Sequence, residues 1–403
     1  MQQSVGTDSL SFERLRDAVR GNFAAIRSVS TLMPAGGSGD KVFPPTYEGG
    51  RYATETRRVG GQEVATVLLD SVQSQANRME LALLAAYKRG EVALPLLSVD
   101  FSKEFPDIGE ITALEAPHRI ADAIFRDSLL DGKSFRESGP GERFVGGRIS
   151  NATPLLELCP TALIFGVWDS TGAQGGLGAK FERAIVSEIV GHQSAAGVRT
   201  SSRIDPLAIQ KVEIYKAGNP TDRWTLDEAT AEKEKSGKPK TLVPSDVNHG
   251  NVLPTINEIG GGVTISHAVQ TTVLSLIALR RLCFPLGGYA SEPEIDFAAR
   301  TLLASLALAA ITNFRDEGYD LRSRCLLVPN NPPVYEIVPS DGSIPIAFSL
   351  SAHQAAEILE QAASEIRKCG LPWTTSKIVL QPTPKLVQLI KKSRAARRTA
   401  EQE

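Results

Sequence analysis

The sequence predicts a mixed α+β fold, a small sheet core carrying large insertions. Apolar runs with strand character stand directly before runs with helical spacing in several places, the signature of a sheet with helices laid on it. The spacing of these units is irregular, which argues against a regular doubly wound sheet. With 42% hydrophobic and 22% charged residues among 403, the chain has an ordinary globular composition and enough apolar material for a substantial core.

Leu10, Leu15, Val19, Phe23 and Ile26 recur near helical spacing, so residues 9–29 read as an amphipathic helix. PAGGSGDKVFPPTYEGG at 34–50 is too punctuated by Gly and Pro for regular structure. Strands are expected in RYATETRRV and VATVLLD, the second running into the helix SVQSQANRMELALLAAYKRG with Asp70 or Ser71 as N-cap and Gly90 as stop. Two further strand-to-helix units are expected at 111–132 and 161–191, the latter with a strand ending at Trp168 and a helix beginning near Gly178. Residues 199–262 differ: VEIY and RWTL flank the turn-forming AGNPTD, a hairpin signature, and a charged stretch follows. Helices at about 265–283 and 292–316, a strand pair near 325–338 and a helix at 351–369 complete the order. The last twenty residues carry Lys385, Lys391, Lys392, Arg394, Arg397 and Arg398, a basic tail.

The formal net charge of −2 supplies no whole-molecule field for nucleic acid, so any such binding falls to local clusters of Lys and Arg. Cys159, Cys283, Cys325 and Cys369 stand far apart with no paired spacing, which predicts reduced thiols and no cysteine-built metal site. The polar N-terminus carries no secretory pattern, and the expectation is a cytoplasmic protein. Asp296 and Arg300 interrupt the most apolar stretch, Ile295–Phe314, which predicts a buried core helix and not a membrane span.

The Gly-rich DSTGAQGGLGAK at 169–180 offers Ser170, Gly175, Gly176 and Lys180, with Arg183 following, as a backbone cradle for phosphate. It is not a nucleotide-hydrolase P-loop. Gly172 to Gly178 is one residue too long, Ala179 separates Gly178 from Lys180, and Phe181 stands where Ser or Thr would hold magnesium. A turn requiring positive φ explains the glycines equally well. On the helix after Asp70, Gln75 and Arg78 lie on neighbouring turns and offer a grip for sugar hydroxyls and phosphates; an ordinary solvated face is the competing explanation. APHRIADAIFRDS contributes His118, Arg119 and Arg126 as RNA contacts or, as the plainer alternative, members of an ion-pair network. His118 and Asp122 alone do not make a metal site. Lys41, ahead of VFPPTY, is a further candidate contact. No nucleophile elbow or histidine motif suggests covalent catalysis.

Together, GGSGDKVFPPTY, TVLLDSVQSQANRMELALL, ITALEAPHRIADAIFRDSLLDG, NATPLLELCPTALIFGVWDSTGAQGGLGAKFERAIVSEIVG and INEIGGGVTISHA resemble the backbone subunit of the type I-G (formerly I-U) CRISPR interference complex. That subunit belongs to the Cas-seven group of the RAMP superfamily, and the likeness covers about residues 30–330. It implies one elaborated domain over 1–403: a modified RNA-recognition, ferredoxin-like palm with helical finger insertions, a thumb within 199–262 and the basic tail at 384–403. It further implies a non-catalytic subunit, without cofactor or metal, that stacks in copies along the spacer of a CRISPR guide RNA. Its other partners would be further Cascade subunits (a large subunit and a Cas-five/six type subunit) and target DNA reached through the guide. With only 6% aromatic residues, a grip on the RNA backbone fits better than base stacking by aromatic pairs. The competing expectation is a metal-dependent ribonuclease using Asp169 or Asp40.

Overall fold

The computed structural model describes residues 8–171, 178–287 and 290–402, with side chains as far as Arg397. The chain divides into two compact units, one of residues 1–47, 52–195 and 263–383, the other of 48–51, 196–262 and 384–403.

The first unit is built on the strands β1 (Phe23–Pro34), β2 (Thr54–Val59), β3 (Gln62–Asp70), β4 (Ile185–His192), β5 (His267–Ser275), β6 (Tyr319–Arg322), β7 (Cys325–Pro329) and β8 (Tyr335–Pro339). Its helices are α1 (Phe12–Arg20), α2 (Val72–Lys88), α3 (Pro293–Glu317) and α4 (Ala352–Lys368). The strands lie in the order β6-β7-β1-β5-β4-β3-β2, with β8 also pairing β1. The contacts β1–β5, β5–β4, β1–β7 and β1–β8 are all antiparallel. Following the chain through β1, α2, β4, β5, α3 and then β7 or β8 gives a β-α-β-β-α-β path whose strands lie in the order fourth, first, third, second. This is the ferredoxin-like arrangement on which RNA-recognition folds are built. The β2–β3 hairpin extends its β4 edge.

Alternation along β1 shows how the sheet is buried. Ile26, Ser28, Ser30 and Leu32 face the helices, whereas Arg27, Val29 and Thr31 face away. On the helical face α3 is the spine. It packs on α4 and α2, and its side chains are buried along nearly its whole length. The two charges that interrupt it are satisfied internally: Arg300 donates to Asp296 at 3.0 Å and to the Leu282 carbonyl at 2.6 Å, while Asp296 also accepts from the Phe284 N–H. This helix meets the length and hydropathy of a membrane span, but 94% of its most apolar window lies inside the fold. All four cysteines are free.

In the second unit, Ile214–Lys216 pairs antiparallel with Trp224–Thr225 around AGNPTD, so the expected hairpin forms. A two-stranded ribbon of Arg199–Arg203 and Val252–Asn257 accompanies it. The basic tail is helical over Pro384–Gln402.

Five local expectations are corrected. The first helix ends at Arg20, where the Gly21 N–H bonds the Asp17 carbonyl at 2.8 Å; residues 23–34 are β1, recruited by strands on both sides. The 265–283 segment is mainly β5, whose Val and Thr run suits a strand, with helix only at Leu276–Arg280. The 161–191 unit is inverted: Thr161–Phe165 is helical and β4 occupies the place of the expected helix. A run buried on every side carries no period by which helix and strand are distinguished. In 111–132 no long helix forms, because Arg119 adopts φ 54° and Asp122 caps a new start by accepting from the Ile124 N–H. Finally, the strands at 325–329 and 335–339 both exist, but each pairs with β1.

Candidate nucleic-acid interface

Next to the first turns of α2 the first unit opens into a basin of about 660 Å³. Ser71 caps α2 by accepting from the Ser74 N–H, which fixes the turn that presents Gln73 and Asn77 along one wall. The opposite wall is a short antiparallel pair, Val167–Trp168 with Lys180–Phe181. Its register sets Lys180 across from Trp168, with the Lys180 Nζ 5.2 Å from the indole ring centroid. Trp168 is 55% exposed, unusual for so large a ring. The chain enters this pair through Gly166 at φ 83°, where a Cβ would come within 2.9 Å of the Arg183 side chain, so only glycine fits the reversal.

Beneath the basin lies a buried ion pair. Arg119, 5% exposed, donates to both Glu80 carboxylate oxygens at 2.6 and 2.7 Å and to the Gly166 carbonyl at 3.0 Å. Burial pushes the Glu80 carboxyl up to about 7, against the downward pull of Arg119. Arg183, half-buried, donates to the Val72 carbonyl at 3.4 Å, and burial together with the neighbouring Arg119 guanidinium lowers its pKa. Glu182 is the sole carboxylate among the described lining residues, and it is engaged by Arg281 at 3.0 Å.

Of the residues singled out in the sequence, the structure brings His118, Arg119, Ser170, Lys180 and Arg183 to this basin although they are widely separated in the chain. His118, Ser170 and Lys180 are exposed there; Arg119 is its floor, and its donors are engaged within the protein. Gln75 lies outside the basin, fully buried. It donates to Asp70 at 2.6 Å and accepts from Ser187 and Gln270, which corrects its expected place on a solvent-facing side. Arg78 is clamped to Asp70 at 3.0 Å and to the Leu321 carbonyl. Arg126 pairs with its neighbour Asp127 at 2.8 Å and does not line the basin. Lys41 is half-buried in the loop after β1. Gly175 and Gly176 lie outside the described residues.

The two candidate carboxylates differ in exposure. Asp169 is 1% exposed and accepts from Arg136 at 2.6 Å, while Asp40 sits in an exposed loop. Asp122, four residues from His118, serves as a helix cap. Among the described residues no three His, Cys, Asp or Glu side chains gather in a way that would hold a metal ion. Sequence reasoning missed Trp168 as a site residue, since it stands at the end of an apolar run and reads as the close of a strand.

Residues 26–195 match the family described as CRISPR-associated protein GSU0053. That stretch contains most of β1, all of β2 to β4, α2 and every described residue lining the basin. No curated protein matches the chain. Among solved structures, a crystal structure of Thermofilum pendens Csc2 is similar at 12% identity, covering 91% of this chain and 82% of that one, with a TM-score of 0.29. Over residues 26–195, then, the chain is similar to a CRISPR-associated family.

Proposed function

We propose that this protein is a non-catalytic, RNA-binding backbone subunit of a Cascade-type CRISPR interference complex, of the type I-G kind. Several copies would lie along the guide spacer in the cytoplasm, in company with the other Cascade subunits, and present the guide to target DNA. The observation that carries this reading is a coincidence of place. The segment similar to a CRISPR-associated family is the one that builds the basin, and the basin offers His118, Lys180 and Arg183 with its lone lining carboxylate already engaged. Such a surface suits the sugar–phosphate backbone, and Trp168 adds a ring on which a single unpaired base stacks. The ferredoxin-like sheet agrees with it as a scaffold. The ribonuclease alternative is disfavoured at Asp169, whose buried carboxylate is already neutralised by Arg136.

The test is RNA binding by the protein co-expressed with a guide RNA, with Lys180 and Arg183 replaced by Ala in parallel. RNA should co-purify with the wild-type chain. The double variant should bind more weakly, with a log–log salt slope shallower by roughly 1.4, about 0.7 per lost phosphate contact. Unchanged affinity and slope would remove the basin from the account.

A further inference from the structure

A second pairing of a cation with an aromatic ring lies outside the basin, tied to the start of α2 through Asp70. Phe43, in the loop after β1, donates its N–H to the Arg324 carbonyl at 3.0 Å. The carbonyl of Phe43 accepts from Arg322 at 3.5 Å, and Arg322 also holds Asp70 at 3.2 Å, one residue before the cap of α2. Asp70 is fully buried and held by Arg78 as well, so its charge is compensated where the two arginines converge.

Arg324 occupies the tight turn between β6 and β7 at φ 60°, where Gly or Asn is the ordinary choice. Its guanidinium carbon sits 4.1 Å from the Phe43 ring centroid. The side chain is exposed and, among the described residues, forms no hydrogen bond or ion pair. An arginine kept in a left-handed turn, stacked on a ring and without a counter-ion, has its planar edge of donors free to meet a phosphate. Lys180 on Trp168 shows the same construction: an exposed cation beside an aromatic ring with no carboxylate partner among the described residues.

We propose that Arg324, seated on Phe43, is a second anchor for the RNA sugar–phosphate backbone, so that a strand held in the basin continues past the first turn of α2 to the β6–β7 turn. This rests on the RNA-binding reading above but makes a separate claim about which residues the strand reaches.

The experiment is a fluorescence-anisotropy titration of labelled oligouridylate over a salt series, using the full chain and the variants Lys180→Ala, Arg324→Ala, Arg324→Gly and Phe43→Leu. Arg324→Gly is the informative one, because glycine relieves the left-handed turn and leaves the fold at least as stable. Expected are binding about five- to tenfold weaker for both Arg324 variants, as for loss of one charge-assisted contact, and a salt slope shallower by roughly 0.7. Phe43→Leu should give a smaller loss. If Lys180→Ala weakens binding while both Arg324 variants match wild type, this proposal is overturned and the basin stands. Absence of RNA binding by the wild-type chain would overturn both. A loss of assembly mass with unchanged affinity for oligouridylate would assign Arg324 to a protein contact and also refute the anchor.

Discussion

Arg119 was a candidate RNA contact in the sequence and lies beneath the basin in the structure, so the two roles predict different outcomes for its removal. Arg119→Ala deletes two bonds to Glu80, at 2.6 and 2.7 Å, and one to the Gly166 carbonyl that leads into the Trp168 strand. What remains is a buried carboxylate without its counter-ion, which costs about 3–5 kcal/mol when one partner of a buried pair is removed. Two charge-assisted bonds at roughly 1.5–3 kcal/mol each give the same range. Glu80 has one escape: its carboxyl already stands at about 7 with Arg119 present, so in the variant it takes up a proton, and the loss should be smaller at pH 6 than at pH 8. Replacing both partners by apolar residues of similar volume, Glu80→Leu with Arg119→Met, should recover much of the stability. Urea denaturation measures these terms, and oligonucleotide titration of the same proteins separates positioning from contact. The double variant should bind RNA within about threefold of wild type, less than the roughly tenfold loss of a charged contact. The reasoning is refuted if Arg119→Ala is as stable as wild type, or if the stable double variant loses RNA as fully as Lys180→Ala does.

Glu80 also sets a pH dependence. Its folded carboxyl, near 7, lies above its ordinary value of 4.5, so the folded state binds the extra proton and this group's contribution to stability falls as pH rises from about 4.5 to 7. Wild type minus Glu80→Gln should show that decline, on the order of 2–3 kcal/mol, in denaturation series across the window; a flat difference would contradict it. Trp168→Ala should weaken RNA binding by about 1–3 kcal/mol, with Trp168→Phe recovering part, as read by titration. Deleting 213–224, the hairpin around AGNPTD, should leave the far-ultraviolet circular dichroism of the ferredoxin-like sheet and its helices in place and weaken assembly on guide RNA, as read by sedimentation.

Much of this fold was legible where local chemistry and tertiary demand agree. The helix α2 begins at Ser71 and α4 at Ser351, each with a side-chain oxygen accepting from the N–H three residues on, and both carry clear helical spacing. The charged breaks in α3 rightly placed it in a protein interior. By contrast, β5 alternates in burial but not in polarity, with Gln270 and Thr272 facing inward and Val269 and Val273 outward, and Thr161–Phe165 is buried at every position, so neither stretch shows in its residue types the period that separates strand from helix. The site followed the same logic. Exposed Lys180 and Ser170 stood out beside their glycines, but a charge does not reveal its partner across the chain. Arg119 meets Glu80 from 39 residues away, and Arg322 meets Asp70 from 252. Gln75 looked like a solvent-facing residue because its buried partners, Ser187 and Gln270, lie on β4 and β5. Trp168 and Arg324 were passed over because exposure and backbone conformation, not residue type, make them notable.

The central claim is that copies of this chain are laid along an RNA template, and assembly mass measured against RNA length tests it most directly. Head-to-tail contacts between unlike surfaces build open helices when the rotation does not close, so a linear template limits growth by its own length. Native mass spectrometry of the protein mixed with guide RNAs of increasing spacer length should show bound copies rising in steps, with little large assembly when RNA is left out. An oligomer of one fixed size at every RNA length, or one that forms equally well without RNA, would contradict the account.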